Sequence, residues 1–139
     1  MAGRRINDGM ADHVAMRVLK MMATKSINVV KSKILILGFT FKENCSDIRN
    51  TQVRNLCLHL IGYKAKVEVF DPLIGDLSIE GVAFIEKPTL AAYDAIVLAV
   101  AHNQFKELGG EEIRRFGKKD CVIFDVKGVL CPQESDGRL

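Results

Sequence analysis

Lys42, in the stretch GFTFKENCSDIRNT with Arg49 seven residues on, and Lys127, in FDVKGVL, are charged side chains that follow apolar runs, and the placement of the two lysines suits the binding of a phosphate. An ammonium group is a compact charge with three donors, and a guanidinium is a planar fork that pairs with two oxygens at once. Lys42 and Lys127 each follow an apolar run that reads as a strand, KILIL and CVIF respectively. In open α/β sheets ligands sit beyond the carboxyl ends of strands, near the point where strand order reverses. If the spatial order is third, second, first, fourth, fifth, the two lysines project from one rim on either side of the fourth strand, where two ammonium groups can grip one polyanion. A helix opening at Asn50 or Thr51 adds N–H donors and the positive end of its dipole. The competing reading makes Lys42 and Lys127 solvated loop charges paired with Glu43 or Asp125.

Other reactive residue types carry less. Cys45 is flanked by Glu43 and Asp47 and has no adjacent histidine to activate it, so it is not read as a nucleophile. His102 follows a buried strand; as a base it has no visible partner, and a capping or solvated histidine is the plainer reading. His13 and His59 fall within helical patterns as surface or boundary residues, and Asp71-Pro72 shapes the turn leaving a strand. Cys45, Cys57, Cys121 and Cys131 form no CxxC pair and have no histidine at zinc-ligand spacing, so no metal site is expected and the cysteines read as reduced thiols. Gly38 is followed by Phe39, Thr40 and Phe41, so the G-x-G-x-x-G dinucleotide fingerprint is missing, and a Walker-type loop is absent too.

The elements that must position these residues are legible from periodicity. Met10, Val14, Val18, Met21 and Met22 recur at steps of three and four, predicting an amphipathic helix from Asn7, with Asn7 or Asp8 as its cap, to about Lys25. It begins directly behind GRRIND, as though the chain starts inside a longer element. Lys33–Gly38 reads as a strand apolar on both faces, the mark of a central parallel strand. Further strands are predicted at Lys66–Phe70, Val82–Ile85, Ala95–Ala101 and Cys121–Phe124. Val53, Leu56, Cys57, Leu60 and Ile61 give the helix after Thr51 an apolar face. A shorter helix is expected around Thr89–Ala92, and another over Asn103–Phe116, interrupted by Gly109 and Gly110. Alternating strands and helices predict a Rossmann-like, doubly wound α/β domain with a parallel sheet of about five strands.

The chain has 139 residues, 48% of them apolar, which suits one domain with one core. Its formal charge of +3 arises from 20 basic and 17 acidic residues spread along the chain, so a nucleic-acid surface is not demanded. The longest apolar runs fall well short of the roughly 20 residues needed to cross a bilayer, and the first residues lack the centre of a secretion signal. No membrane partner and a cytoplasmic location are expected.

At GFTFKENCSDIRNT the chain resembles the pattern G-x-x-F-K-x-x-x-x-D-x-R that opens the C-terminal domain of the UDP-glucose/GDP-mannose dehydrogenase family. RRIND before it, VEVFDP at the second strand and FDVKGVL after the fifth extend the resemblance over nearly the whole chain, in the right order. Within the family it looks most like the branch that oxidises UDP-N-acetylhexosamines to uronic acids for bacterial surface polysaccharides, where DVKG and a terminal DGRL are familiar. Family members oxidise the sugar C6 alcohol to a carboxylate in two NAD-dependent steps, through an aldehyde or thiohemiacetal held on a cysteine. This chain contains neither the family's glycine-rich NAD domain nor the motif carrying that cysteine.

The resemblance therefore implies a part of such an enzyme. Residues 1–28 would be the end of the long helix that links the halves and supports a homodimer, and residues 29–139 the UDP-sugar-binding domain. No catalytic residue is expected here, and NAD would be bound mainly by the missing domain. Phe41 and Lys42 match positions that contact the UDP-sugar, Lys127 a basic position contacting UDP, and Arg49 an arginine reaching across to NAD. Where many relatives have Ser-Pro after that arginine this chain has Asn50-Thr51, and where some branches have two arginines it has Lys127-Gly128, with Arg138 a candidate extra ligand. Phe41 packs either against loop and ligand or into the core. The rival function is a stand-alone nucleotide-sensing or protein-interaction module on the same scaffold.

Overall fold

Two wholly apolar runs form the middle of the sheet. β1 (Lys33–Leu37) buries every residue from Ile34 onward, and β4 (Tyr93–Leu98) does the same from Ala95. Such strands are stable only where helices cover both faces. Ile34, Ile36 and Val97 point toward one helical layer, and Leu35, Leu37, Ile96 and Leu98 toward the other. The computed structural model describes residues 2–40, 42–49 and 51–139, residues 2–8 by backbone alone.

The first layer holds α1 (Ala2–Thr24) and α2 (Gln52–Gly62), which pack on each other as well as on the sheet. Val14, Val18 and Met22 on α1 and Val53, Leu56, Cys57 and Leu60 on α2 are buried, as their spacing predicts. Full burial of a side chain such as Val18 or Leu60 contributes about 1.5–3 kcal/mol. Met10, counted in the same stripe, is 39% exposed. Because α1 already runs from Ala2, Asn7 and Asp8 lie inside it and do not cap its start. Thr51 is the residue at the cap of α2, its side chain accepting from the Val53 N–H at 3.2 Å.

The second layer is α3 (Asn103–Arg114), whose Phe105 and Ile113 are buried. Its helical geometry breaks at Gly109 (φ 75°, ψ 167°), where the sequence placed an interruption. β2 (Lys66–Phe70), β3 (Val82–Phe84) and β5 (Gly117–Asp125) complete the expected strands, and these strands pair with one another in parallel. The order is β3-β2-β1-β4-β5, with a sixth strand, β6 (Gly137–Arg138), beside β5. The reversal therefore falls between β1 and β4, as predicted.

Two expectations need correction. Thr89–Ala92 is a turn, with Ala91 at φ 53°, a left-handed conformation incompatible with a continuing helix. The sheet has six strands because two residues, too few for any periodic signal, pair with Phe124 and Asp125. That last strand is fastened from several sides. The Arg17 guanidinium donates to the Arg138 carbonyl at 2.9 Å and stands 5.0 Å over the Phe124 ring. Asp136 receives Lys25 at 3.3 Å, Arg114 at 3.2 Å and the Ile123 N–H at 2.8 Å.

Candidate functional site

The carboxyl ends of β1, β4 and β5 open onto a cleft of ≈ 220 Å³ beneath α1. Thr40 lines it from the loop after β1, Thr51 and Gln52 from the start of α2, Val100 from the end of β4, and Val126 and Lys127 from the end of β5. This is the topological switch point, where ligands of open α/β sheets bind. Gly38 makes the approach of β1 to β4 possible. At φ 97° it adopts a backbone that side-chain-bearing residues rarely take, and a Cβ there would lie 2.5 Å from the Val100 Cβ.

Asp125, at the end of β5, decides what Lys127 is free to do. Its buried carboxylate accepts the N–H groups of Val129 at 3.1 Å and Leu130 at 2.8 Å, folding the following loop back over the strand end. Among the ion pairs of the described residues neither Lys127 nor Lys42 takes part, so the pairings with Asp125 and Glu43 that would neutralise them are absent there. Lys127 is exposed at the cleft wall, and Lys42 is exposed on the loop after β1, outside the cleft lining. Arg138 lies across Gly128: a Cβ at that glycine would meet the Arg138 guanidinium nitrogen at 2.6 Å. The fold thus places the Arg138 guanidinium over the residue next to Lys127, on the strand that pairs with the end of β5.

Arg49 is 85% exposed and forks onto Asp47, with contacts of 3.1 and 3.0 Å. Its side-chain and backbone hydrogen bonds hold the Asp47 carboxyl below its ordinary range. The guanidinium is exposed and is not among the residues that line the cleft. Phe41 and Asn50 lie outside the described residues.

The least anticipated feature is a buried polar network under the loop. His102 and Asp71 are both buried, 2.9 Å apart through Nε2 and Oδ2. Asp71 also accepts the Phe39 N–H at 2.7 Å and the Leu73 N–H at 2.8 Å, the latter forming the turn expected of Asp71-Pro72. The other ring nitrogen, Nδ1, accepts the Asn44 N–H at 2.9 Å. An acceptor at Nδ1 assigns the proton to Nε2, which donates to Asp71 and stands 3.2 Å from the Thr40 hydroxyl. That hydroxyl in turn donates to the Lys42 carbonyl at 2.8 Å. His102 is thus neither solvated nor a side-chain cap, contrary to the plainer sequence reading; it occupies the cap position of α3 without making a capping bond. The signal for it in the sequence is a histidine ending a wholly apolar strand, where an unpaired ring would be costly.

Burial pushes the Cys57 and Cys121 thiols up to about 12, the opposite of what a nucleophile needs. No described helix is long and apolar enough to cross a membrane.

A parallel sheet wound on both sides, with its cleft at the switch point, defines a Rossmann-like α/β domain. The chain belongs to the UDP-glucose/GDP-mannose dehydrogenase family, whose UDP binding domain matches residues 35–132. It is similar to UDP-N-acetyl-D-glucosamine 6-dehydrogenases of Salmonella typhi, 46% identical, and Pseudomonas aeruginosa, 44% identical, each over 100% of this chain. The chain spans 33% and 34% of those proteins, about a third of their length. Among solved structures it resembles an NDP-N-acetyl-D-galactosaminuronic acid dehydrogenase from Methanosarcina mazei, with TM-score 0.80 and 25% identity over 94% of this chain and 28% of that one. A UDP-D-ManNAc dehydrogenase from Pyrococcus horikoshii shares the fold, with TM-score 0.76 and 24% identity over 96% of this chain and 31% of that one.

Proposed function

We propose that this chain is the UDP-sugar-binding part of an NAD-dependent UDP-sugar 6-dehydrogenase. The whole enzyme would oxidise a UDP-hexose or UDP-N-acetylhexosamine to the uronic acid, for surface polysaccharide synthesis. The observation that carries the reading is Lys127, an ammonium without an acidic partner among the described residues, on the wall of the switch-point cleft. Lys127, Lys42 and Arg138 supply charge-assisted donors for diphosphate or uracil oxygens, the start of α2 adds its dipole, and Phe41 completes the substrate set. The cleft of ≈ 220 Å³ is smaller than the roughly 300–1,000 Å³ of a complete small-molecule site, as suits half of an interdomain one. Family membership favours this reading over a stand-alone module.

The residues described here do not fit the body of an NAD. Val100 packs against Gly38 at the turn where a pyrophosphate would approach, and no second glycine follows. Arg49 alone is assigned to the cofactor, reaching toward a domain that residues 1–28 would link to residues 29–139 while pairing two copies. The reaction's nucleophile is assigned elsewhere too, and the enzyme to the cytoplasm, without membrane or nucleic-acid partners.

Calorimetry on this chain should register weak UDP binding, and absorbance at the NADH band should show no NAD reduction with any UDP-sugar. Absence of UDP binding at low ionic strength would remove the substrate assignment. Turnover would place the missing machinery within these residues and overturn the division of labour.

A further inference from the structure

We infer that His102, backed by Asp71, is a positioning residue for the substrate loop: it docks the turn after β1 onto the start of α3 and so sets where Lys42 stands. The inference rests on the reading of Lys42 as a UDP ligand. Among the described residues of the loop, Thr40 and residues 42–49, the backbone makes few hydrogen bonds to other backbone, and binding loops are usually drawn from the least stable parts of a fold. Here the loop is fastened at two points to one buried imidazole.

The first point is Asn44. Its N–H donates to His102 Nδ1 at 2.9 Å, its Oδ1 accepts the Asn103 N–H at 2.9 Å, and its Nδ2 reaches Asn103 Oδ1 at 3.3 Å. Asn44 thus satisfies a free N–H at the start of α3, a task the cap residue His102 leaves undone because both its ring nitrogens are engaged. Its φ of 57° is a left-handed conformation that asparagine tolerates. The second point is Thr40, 3.2 Å from Nε2, whose hydroxyl holds the Lys42 carbonyl. Lys42 is therefore bracketed, at residues 40 and 44, by contacts to the same ring.

Swinging the loop away would strip Nδ1 of the Asn44 donor and the Asn103 N–H of its acceptor in one movement. Buried polar groups left without partners are costly, so the docked position is strongly preferred. Asp71 serves by fixing the tautomer: with the proton held on Nε2, Nδ1 must accept. Asp71 adds a link to the root of the same loop through the Phe39 N–H.

Asparagine and glutamine separate the two ring nitrogens. In His102→Asn the amide oxygen stands near the place of Nδ1 and can accept from Asn44, while the bond to Asp71 is lost. In His102→Gln the amide reaches Asp71 and the acceptor for Asn44 is lost. Titrated with UDP in a calorimeter, His102→Gln should bind roughly five- to tenfold more weakly than the parent, and His102→Asn within about threefold of it. Equal losses in both variants, in step with their melting temperatures, would leave the pair a purely structural role and overturn the inference, as would parental affinity in His102→Gln. Should either variant fail to fold, Asn44→Gly keeps the left-handed backbone and the N–H but removes both side-chain bonds to Asn103. Weakened UDP binding there supports docking, and unchanged affinity overturns it. If the parent takes up no UDP, the nucleotide reading falls by itself, and amide exchange then decides the docking. Protection of the Asn44 N–H in the parent and His102→Asn, lost in His102→Gln, upholds it; equal exchange in all three removes it.

Discussion

Lys127 stands two residues beyond an aspartate that is fully occupied with backbone donors, and this leaves its charge available. Lys127→Met keeps most of the stem and removes the ammonium. A charge-assisted contact contributes on the order of 1.5–3 kcal/mol, so UDP affinity should fall by roughly ten- to a hundredfold and lose part of its salt dependence. Because Lys127 is exposed, the melting temperature without ligand should hardly move. Equal UDP affinity in variant and parent at low ionic strength would return Lys127 to the solvated surface. Lys42, Arg49 and Lys127 could be singled out from sequence because a charge just after an apolar strand is visible locally. His102 could not be interpreted there, since its partners Asp71 and Asn44 lie 31 and 58 positions away and only the folded sheet brings them under one loop. The same holds for Arg138, which reaches Gly128 through a strand too short to announce itself.

Between β1 and α2 the chain turns at Gly38, and this turn governs how closely the two central strands' ends approach. A methyl group at Gly38 meets Val100 side chain and backbone at 2.5 and 3.0 Å and also forces an alanine to φ 97°. The strained backbone costs about 1–3 kcal/mol and overpacking a similar amount. Gly38→Ala should therefore lower the melting temperature by more than about 5 °C, read by circular dichroism. An unchanged melting temperature would mean that Val100 yields at no cost. Elements with several apolar residues in register, such as β1 and α2, were predicted close to their observed bounds because burial on one or both faces imposes the pattern, whereas β4, expected at Ala95–Ala101, runs from Tyr93 to Leu98 because the apolar run continues past the paired strand. The turn at Thr89–Ala92 escaped because a few residues of helix-forming type carry no period, and the left-handed Ala91 is set by its surroundings. The early residues of β5, Gly117–Asp120, escaped for the opposite reason: they lie half-buried to exposed and so show no apolar pattern, and among them Gly117 pairs with Tyr93 before a shift in register.

Across the whole molecule, Asp136 gathers the turn after α1, the end of α3, β5 and the C-terminal segment around one carboxylate. Burial pushes that carboxyl up, but the Ile123 N–H, Lys25 and Arg114 together outweigh it and hold the group below its ordinary value of 3.8. A group with a depressed folded-state pKa adds stability that is present above the unfolded value and lost as pH falls through the folded one. Asp136→Asn should thus melt below the parent at neutral pH by an amount of the order of 1 kcal/mol, once solvent screening is allowed for. The gap should narrow as pH drops below 3.8. A gap independent of pH would show that the carboxylate's charge contributes nothing. Close by, Arg17 on the first helix binds the carbonyl of Arg138 across 121 positions of sequence. That clamp closes only once both segments are present, however well the central strands have already paired. A protease that trims β6 would therefore cut the tie between Arg17 and Arg138 while leaving the apolar stripe of α1 packed on α2 and the sheet.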